Sequence, residues 1–214
     1  MTQQNAPLPK AITKKQVPAR PLPGDRAGSK DAQRMIRVDH AGEFGAVRIY
    51  AGQRAVLGES HKNAGLLRHM YEQEEAHLAR FNTLITERGV RPTLLAPFWN
   101  VAGFALGAGT ALMGEKAAMA CTQAVETVID EHYQEQRDKL AGSDPELEEI
   151  IEEFQAEEVE HKRIAEEHGA NDAVLHPVLT GVIQAYIFAV LATVYISSAI
   201  APSTQSAPEE KEIQ

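Results

Sequence analysis

The sequence predicts an all-α fold: a helical bundle with a hydrophobic crossover helix and an apolar C-terminal helix. Three observations predict it. From residue 31 onward, apolar positions recur at spacings of three and four, in segments too long for strands. Turn-forming stretches (LGESHKN, ERGVRP, AGSDP, HGAND) separate those segments. Two helix-length segments, Pro92–Gly114 (23 residues) and Ala173–Pro208 (36 residues), contain no Asp, Glu, Lys or Arg.

Residues 1–30 are expected to be a disordered tail. Five prolines fall between Asn5 and Lys30, and no acid precedes Asp25. Proline at that density interrupts any helix. No apolar run suits a secretory signal. Helices are then predicted at about 31–58, 62–88, 97–113, 114–140, 144–168 and 174–200, followed by a flexible tail over 201–214. Gly89 closes the second helix, with Pro92 beyond it. Ser143 or Asp144 caps the fifth, with Pro145 in its first turn.

The charge-free segments are each long enough to cross a bilayer. The first, NVAGFALGAGTALMG, is rich in Gly and Ala and suits a buried crossover between two halves of a bundle. Its GFALGAG lacks the lysine and preceding strand of a phosphate loop, so small residues for close helix packing explain it better. The second is more apolar, which favours a helix lying in the membrane interface or packed on the bundle over a true span. A soluble protein seldom leaves such a surface bare, so membrane association is expected. A charge at Ile187 is expected to release the protein.

The 214 residues are 43% hydrophobic, enough for one domain with a substantial core. Net charge is −9, and 11 of the 30 acids lie between Asp144 and Glu167. A nucleic-acid surface needs a basic stripe and is excluded. The single Cys121 excludes a disulfide framework and a Cys₄ metal site.

The chemistry lies in a repeat. Glu43 precedes Glu74 by 31 residues, and Glu126 precedes Glu158 by 32. Both Glu74 and Glu158 begin a Glu-x-x-His, ending in His77 and His161. One Glu-x-x-His alone is ordinary helix surface. Here the chain holds two copies of a larger unit: a helix with a glutamate, a turn, then a helix with Glu-x-x-His. Helices rise about 1.5 Å per residue, so an antiparallel pair brings the lone glutamate level with the motif. Each of the six residues shares a stripe with apolar neighbours, such as Tyr50 with Glu43 and Phe154 with Glu158. Glu157, Glu160, Glu72 and Glu75 fall beside that stripe, so Glu157→Ala is expected to be nearly silent. Buried bare carboxylates are costly, and two divalent cations would neutralise them. One Glu from each of two helices and Glu-x-x-His from each of two others is the ferritin-like di-iron or di-manganese pattern. Oxygen-rich ligation with one imidazole per metal suits iron or manganese over zinc or copper. Asp39, four before Glu43, and Asp130, four after Glu126, are candidates to orient the ligands, with His132 and Tyr133 nearby.

The local sequence also resembles a family. MIRVDHAGEFGAVRIYAGQ (35–53), YEQEEAHLARFN (71–82), CTQAVETVIDEHY (121–133) and EEVEHKRIAEEHGA (157–170) are similar to the four ligand segments of the demethoxyubiquinone hydroxylase family of ubiquinone biosynthesis. The resemblance covers roughly residues 31–200. It implies a ferritin-like di-iron monooxygenase that hydroxylates the ring of a polyprenyl demethoxyubiquinol with O₂ and two external electrons. It further implies that Glu43, Glu74 and His77 bind one iron and Glu126, Glu158 and His161 the other, with Glu74 and Glu158 bridging. NADH as reductant and a lipid-binding accessory protein as partner come with it. A polyprenyl substrate lives in the bilayer, so the expected location is peripheral. It is the cytoplasmic face of a bacterial inner membrane, or the matrix face of a mitochondrial one. The competing functions are iron storage or peroxide scavenging, a non-catalytic helical membrane adaptor, and hydroxylation of another substrate such as a modified nucleoside.

Overall fold

The computed structural model describes residues 30–93, 96–174 and 176–200. The expected tails over 1–30 and 201–214 fall outside them, save that Lys30 already opens the first helix. Six α-helices follow in order: α1 (Lys30–Leu57), α2 (Ala64–Glu87), α3 (Ala96–Leu112), α4 (Glu115–Leu140), α5 (Pro145–Glu167) and α6 (His176–Ile200). A short 3₁₀ turn, Ala170–Asp172, joins α5 to α6. Among the described residues there is no strand.

The ends form for local reasons. Asp144 caps α5 by accepting from the Leu147 amide at 3.2 Å, with Pro145 at the first turn. Gly89 follows the end of α2 with φ +60°, a left-handed conformation that costs a glycine little.

The two halves repeat one unit. α1 packs on α2 and α4 packs on α5, while α3 lies along α1 and α6 against α4 and α1. Core side chains fill both ends of the bundle. Leu67, Met70, Met119 and Ile183 lie in one cluster; Ile36, Phe81, Leu84, Leu147 and Ile151 lie in another. The carboxylates and histidines lie among them.

The crossover helix α3 differs from the expected buried one. One face packs on α1 and the other is open: Phe98 is 61% and Val101 71% exposed. Composition without charge does not distinguish a protein neighbour from a lipid one. The close-packing reading of GFALGAG holds at Gly107, and Gly52 of α1 packs as closely against the same helix. A Cβ on Gly107 would stand 1.9 Å from the Ile49 carbonyl oxygen, and one on Gly52 would stand 2.3 Å from that of Phe104. Backbone cannot swing aside as a side chain can. Gly107→Val is therefore expected to destabilise the fold by at least the ~1–3 kcal/mol typical of overpacking. A Cβ on Gly65 would meet nothing within 4 Å, so Gly65 should accept Ala without loss. Thermal melts of both variants check this, and a Gly107→Val that melts like wild type would refute it.

Candidate metal centre

Glu43 comes from α1, Glu74 and His77 from α2, Glu126 from α4, and Glu158 and His161 from α5. All six are at most 1% exposed. They form two groups of four: Glu43, Glu74, His77 and Glu158, and Glu74, Glu126, Glu158 and His161. Within each, the candidate ligand atoms all lie within 4.8 Å of one another. Glu74 and Glu158 belong to both groups, the position a bridging carboxylate needs.

The donor set fits cations. Glu43 Oε2, Glu126 Oε2, both oxygens of Glu74 and Glu158, and Nδ1 of both histidines have no hydrogen-bond partner. Buried polar atoms are ordinarily satisfied; a cluster of eight left bare is a charge trap. His77 Nδ1 stands 3.2 Å from Glu158 Oε1 and 3.5 Å from Glu43 Oε2; His161 Nδ1 stands 3.1 Å from Glu74 Oε1. Electrostatics agree. Burial, and then the neighbouring carboxylates, push Glu74 and Glu126 well above the usual carboxylate range. Burial opposes charge on His77, but Glu158 and Glu43 outweigh it and push the ring up to about 12. Burial likewise opposes charge on Glu158, yet the two histidines and Glu126 hold it down to about 2. Without metal, protons stand in for the missing positive charge.

The remaining oxygens of the two outer glutamates are held by a crossed pair of phenols. Tyr133 on α4 donates to Glu43 on α1, and Tyr50 on α1 donates to Glu126 on α4 at 2.7 Å. Burial and nearby carboxylates raise both phenols well above their usual range, so they remain donors. Of the residues expected around the ligands, Tyr133 thus touches one directly. Asp39 does not meet a ligand histidine. Its Oδ1 accepts from Gln136 Nε2 at 2.5 Å and lies 3.8 Å from His132 Nε2. Burial raises the Asp39 carboxyl well above its ordinary value and lowers His132. Asp130 contacts Gln155 instead of a ligand, accepting at 2.8 Å. Helical spacing puts it on Glu126's side of α4 but one turn further along, where α5 presents Gln155 and not Glu158 or His161.

A small cavity of about 40 Å³ adjoins the centre, lined by Asp39, Glu43, His132, Tyr133, Ile187 and Leu191 among others. Two of these come from α6. Ile187, expected as membrane-facing surface, is therefore half-buried wall.

Helical spacing alone misses three residues. Tyr50 reads only as part of an apolar stripe. Glu157, expected to be silent, accepts from His77 Nε2 at 2.9 Å, and Gln73 Oε1 lies 3.1 Å from His161 Nε2. The repeat itself carries the signal that could find them. Tyr50 and Tyr133 each stand seven residues after the outer glutamates, and Gln73 and Glu157 each stand one before the Glu-x-x-His.

Known proteins resemble this sequence. Residues 30–193 match the family model described as ubiquinone biosynthesis protein COQ7. A 3-demethoxyubiquinol 3-hydroxylase of Rhodospirillum rubrum is 56% identical over 164 residues, 77% of both chains. The human NADPH-dependent 3-demethoxyubiquinone 3-hydroxylase, mitochondrial, is 50% identical over 165 residues, 75% of this chain and 76% of that one. The mitochondrial 5-demethoxyubiquinone hydroxylase of Saccharomyces cerevisiae is 45% identical over 163 residues, 69% of this chain and 70% of that one. With the match spanning more than half of its length and relatives at this identity, the chain belongs to the ubiquinone biosynthesis protein COQ7 family.

Proposed function

We propose that the chain hydroxylates the ring of a polyprenyl demethoxyubiquinol in ubiquinone biosynthesis, at a centre of two iron ions. The observation that carries this is the pair of overlapping ligand groups sharing Glu74 and Glu158, beside a cavity walled by Ile187 and Leu191. Glu43, Glu74 and His77 hold one ion; Glu126, Glu158 and His161 hold the other. When bound, the two ferrous ions supply O₂ binding and reduction, which no side chain can do.

The chain's own residues do the rest. Glu74 and Glu158, which belong to both ligand groups, would help to hold both ions. Tyr133 and Tyr50 hold the outer glutamates by donating to one oxygen each, leaving the other free. The apolar packing around the site excludes bulk water, which strengthens every charge interaction within it. Asp39, His132 and Tyr133 border the cavity beside Glu43 and are the groups nearest to exchange protons with a ring there. Electrons come from a reduced nicotinamide. The family resemblance favours NADH, and the human relative is named NADPH-dependent.

The substrate's tail requires a bilayer, and α6 supplies the contact. Its stretch His176–Val194 is long and apolar enough to cross a membrane by length and composition, and only 22% of it is buried. Phe188 is 63% exposed. The protein sits peripherally on the cytoplasmic face of a bacterial inner membrane, or on the matrix face of a mitochondrial one. A lipid-binding accessory protein assists delivery. Phe188→Glu is expected to move most of the protein from membranes to the soluble fraction in flotation assays while its metal content stays unchanged. Unaltered flotation would show that α6 is not the anchor.

The test of function is metal analysis of protein purified with iron present, followed by turnover of a demethoxyquinol with O₂ and a reduced nicotinamide. About two irons per chain and a hydroxylated ring support the proposal. Two irons with peroxide consumption but no ring product would favour scavenging, and no metal would favour the adaptor.

A further inference from the structure

The two halves of the bundle are related by a close repeat. Residues of α1 recur in α4 after 83 positions, as Glu43 with Glu126 and Tyr50 with Tyr133. Residues of α2 recur in α5 after 84, as Glu74 with Glu158 and His77 with His161. The contacts repeat too, each crossing to the opposite half. Among the side chains that hydrogen-bond these ligands in the described residues, the repeat breaks at one pair: Gln73 in one half corresponds to Glu157 in the other.

Those two residues form a single chain of hydrogen bonds on the outer side of both imidazoles. His77 Nε2 meets Glu157 Oε2 at 2.9 Å. Gln73 Nε2 donates to the same oxygen at 3.0 Å, which turns Gln73 Oε1 towards His161 Nε2 at 3.1 Å. An amide oxygen only accepts, and so does a carboxylate. Both rings must therefore carry a proton on Nε2, and both Nδ1 atoms face the ligand cluster. Glu157 fixes one ring directly and the other through Gln73. Its charge, however, bears on one ring alone. A histidine bonded to a carboxylate is a more basic ligand than one bonded to a neutral amide.

We propose that Glu157 is the positioning residue for both histidines, and that the Gln73/Glu157 difference makes the two metal positions inequivalent. The Glu43/His77 position, facing the cavity, carries the more electron-rich imidazole and better stabilises the higher oxidation state. This rests on the two-metal reading above.

The test uses full-length protein reconstituted with ⁵⁷Fe: wild type, Glu157→Ala, Glu157→Gln, and Glu160→Gln as a control on the same helix. Glu160 is exposed and pairs with Arg163 instead of a ligand. Metal affinity is read by chelator competition, the iron environments by Mössbauer spectroscopy, and folding by helix content. Wild type should show two quadrupole doublets of equal area. Glu157→Ala should weaken binding of both ions by about 10–100-fold, the cost typical of removing a partner of a ligand, with helix content unchanged. Glu157→Gln keeps an accepting oxygen, so it should restore affinity while the two doublets converge. Wild-type affinity in Glu157→Ala, a loss confined to one ion, or unchanged doublets in Glu157→Gln would each overturn the inference while leaving the two-metal centre standing. Wild type that takes up no iron would overturn both.

Discussion

Glu158→Ala is expected to empty both metal positions at once. Glu158 belongs to both ligand groups, and its two oxygens are both without a hydrogen-bond partner. On the proposed two-metal reading, removing it would take one ligand from each ion and the carboxylate shared by both groups. It also removes the carboxylate that faces both imidazoles, leaving His77 Nδ1 and His161 Nδ1 without their shared neighbour. Loss of an outer partner alone costs about 10–100-fold in metal affinity or activity, so loss of the bridge should exceed the upper end of that range. The measurements are iron per chain and quinol turnover, beside a helix-content check. The helix-content check separates loss of a ligand from loss of fold, because Glu158 also pairs with His77 and His161. A variant that keeps one tightly held iron would show that the two positions fill independently, against the bridging role.

Metal removal should make the chain's stability fall with rising pH. Glu74, Glu126, His77 and His161 all have raised proton affinity in the folded chain. Unfolded, the glutamates release their protons near pH ~4.3 and the histidines near ~6.5. Above those values the folded chain binds more protons than the unfolded one, so stability declines as pH rises. Their contribution is fully present below the unfolded values and is lost through the raised ones, which for His77 extends up to about 12. Glu158 runs the other way. Held down to about 2, it adds stability as pH climbs from there to ~4.3. The metal-free protein should therefore melt higher at pH 5.5 than at pH 8. Divalent iron or manganese replaces the protons, so its benefit is larger at pH 8. At a thousand times the dissociation constant it adds about 4 kcal/mol. At about 2–4 °C per kcal/mol for a chain of this size, that is roughly 8–16 °C in melting temperature. Scanning calorimetry with and without metal at both pH values checks the sign. An equal shift at both would mean that the ions do not displace these protons.

The buried Glu/His cluster was legible because a cluster of that chemistry forces a pattern. A cation site inside a bundle needs acids on apolar stripes, and Glu43, Glu74, Glu126 and Glu158 have no other reason to sit beside Tyr50, Met70, Met119 and Phe154. Helix order was legible for a similar reason, since turn residues such as Asp144, Pro145 and Gly89 act locally. Glu157 was not legible. Its own helix places it at the edge of the stripe, where a glutamate is ordinarily solvated. Only the approach of α2 across the bundle brings His77 to it. Asp130 shows the reverse failure, the correct helical side but one turn from the ligands, where α5 presents Gln155. The open face on α3 was equally hidden, because lack of charge says that water is unwelcome and not what replaces it.

The wall formed by Ile187 and Leu191 has a kinetic consequence. The same helix that closes the cavity presents Phe188 outward, so on the membrane-bound reading proposed above a substrate reaching the centre past α6 would come from the plane of the bilayer. Its effective concentration is then a mole fraction per unit of lipid area, independent of the volume of the surrounding solution. Adding inert phospholipid at constant total quinol should slow turnover by surface dilution, whereas adding buffer should leave it unchanged.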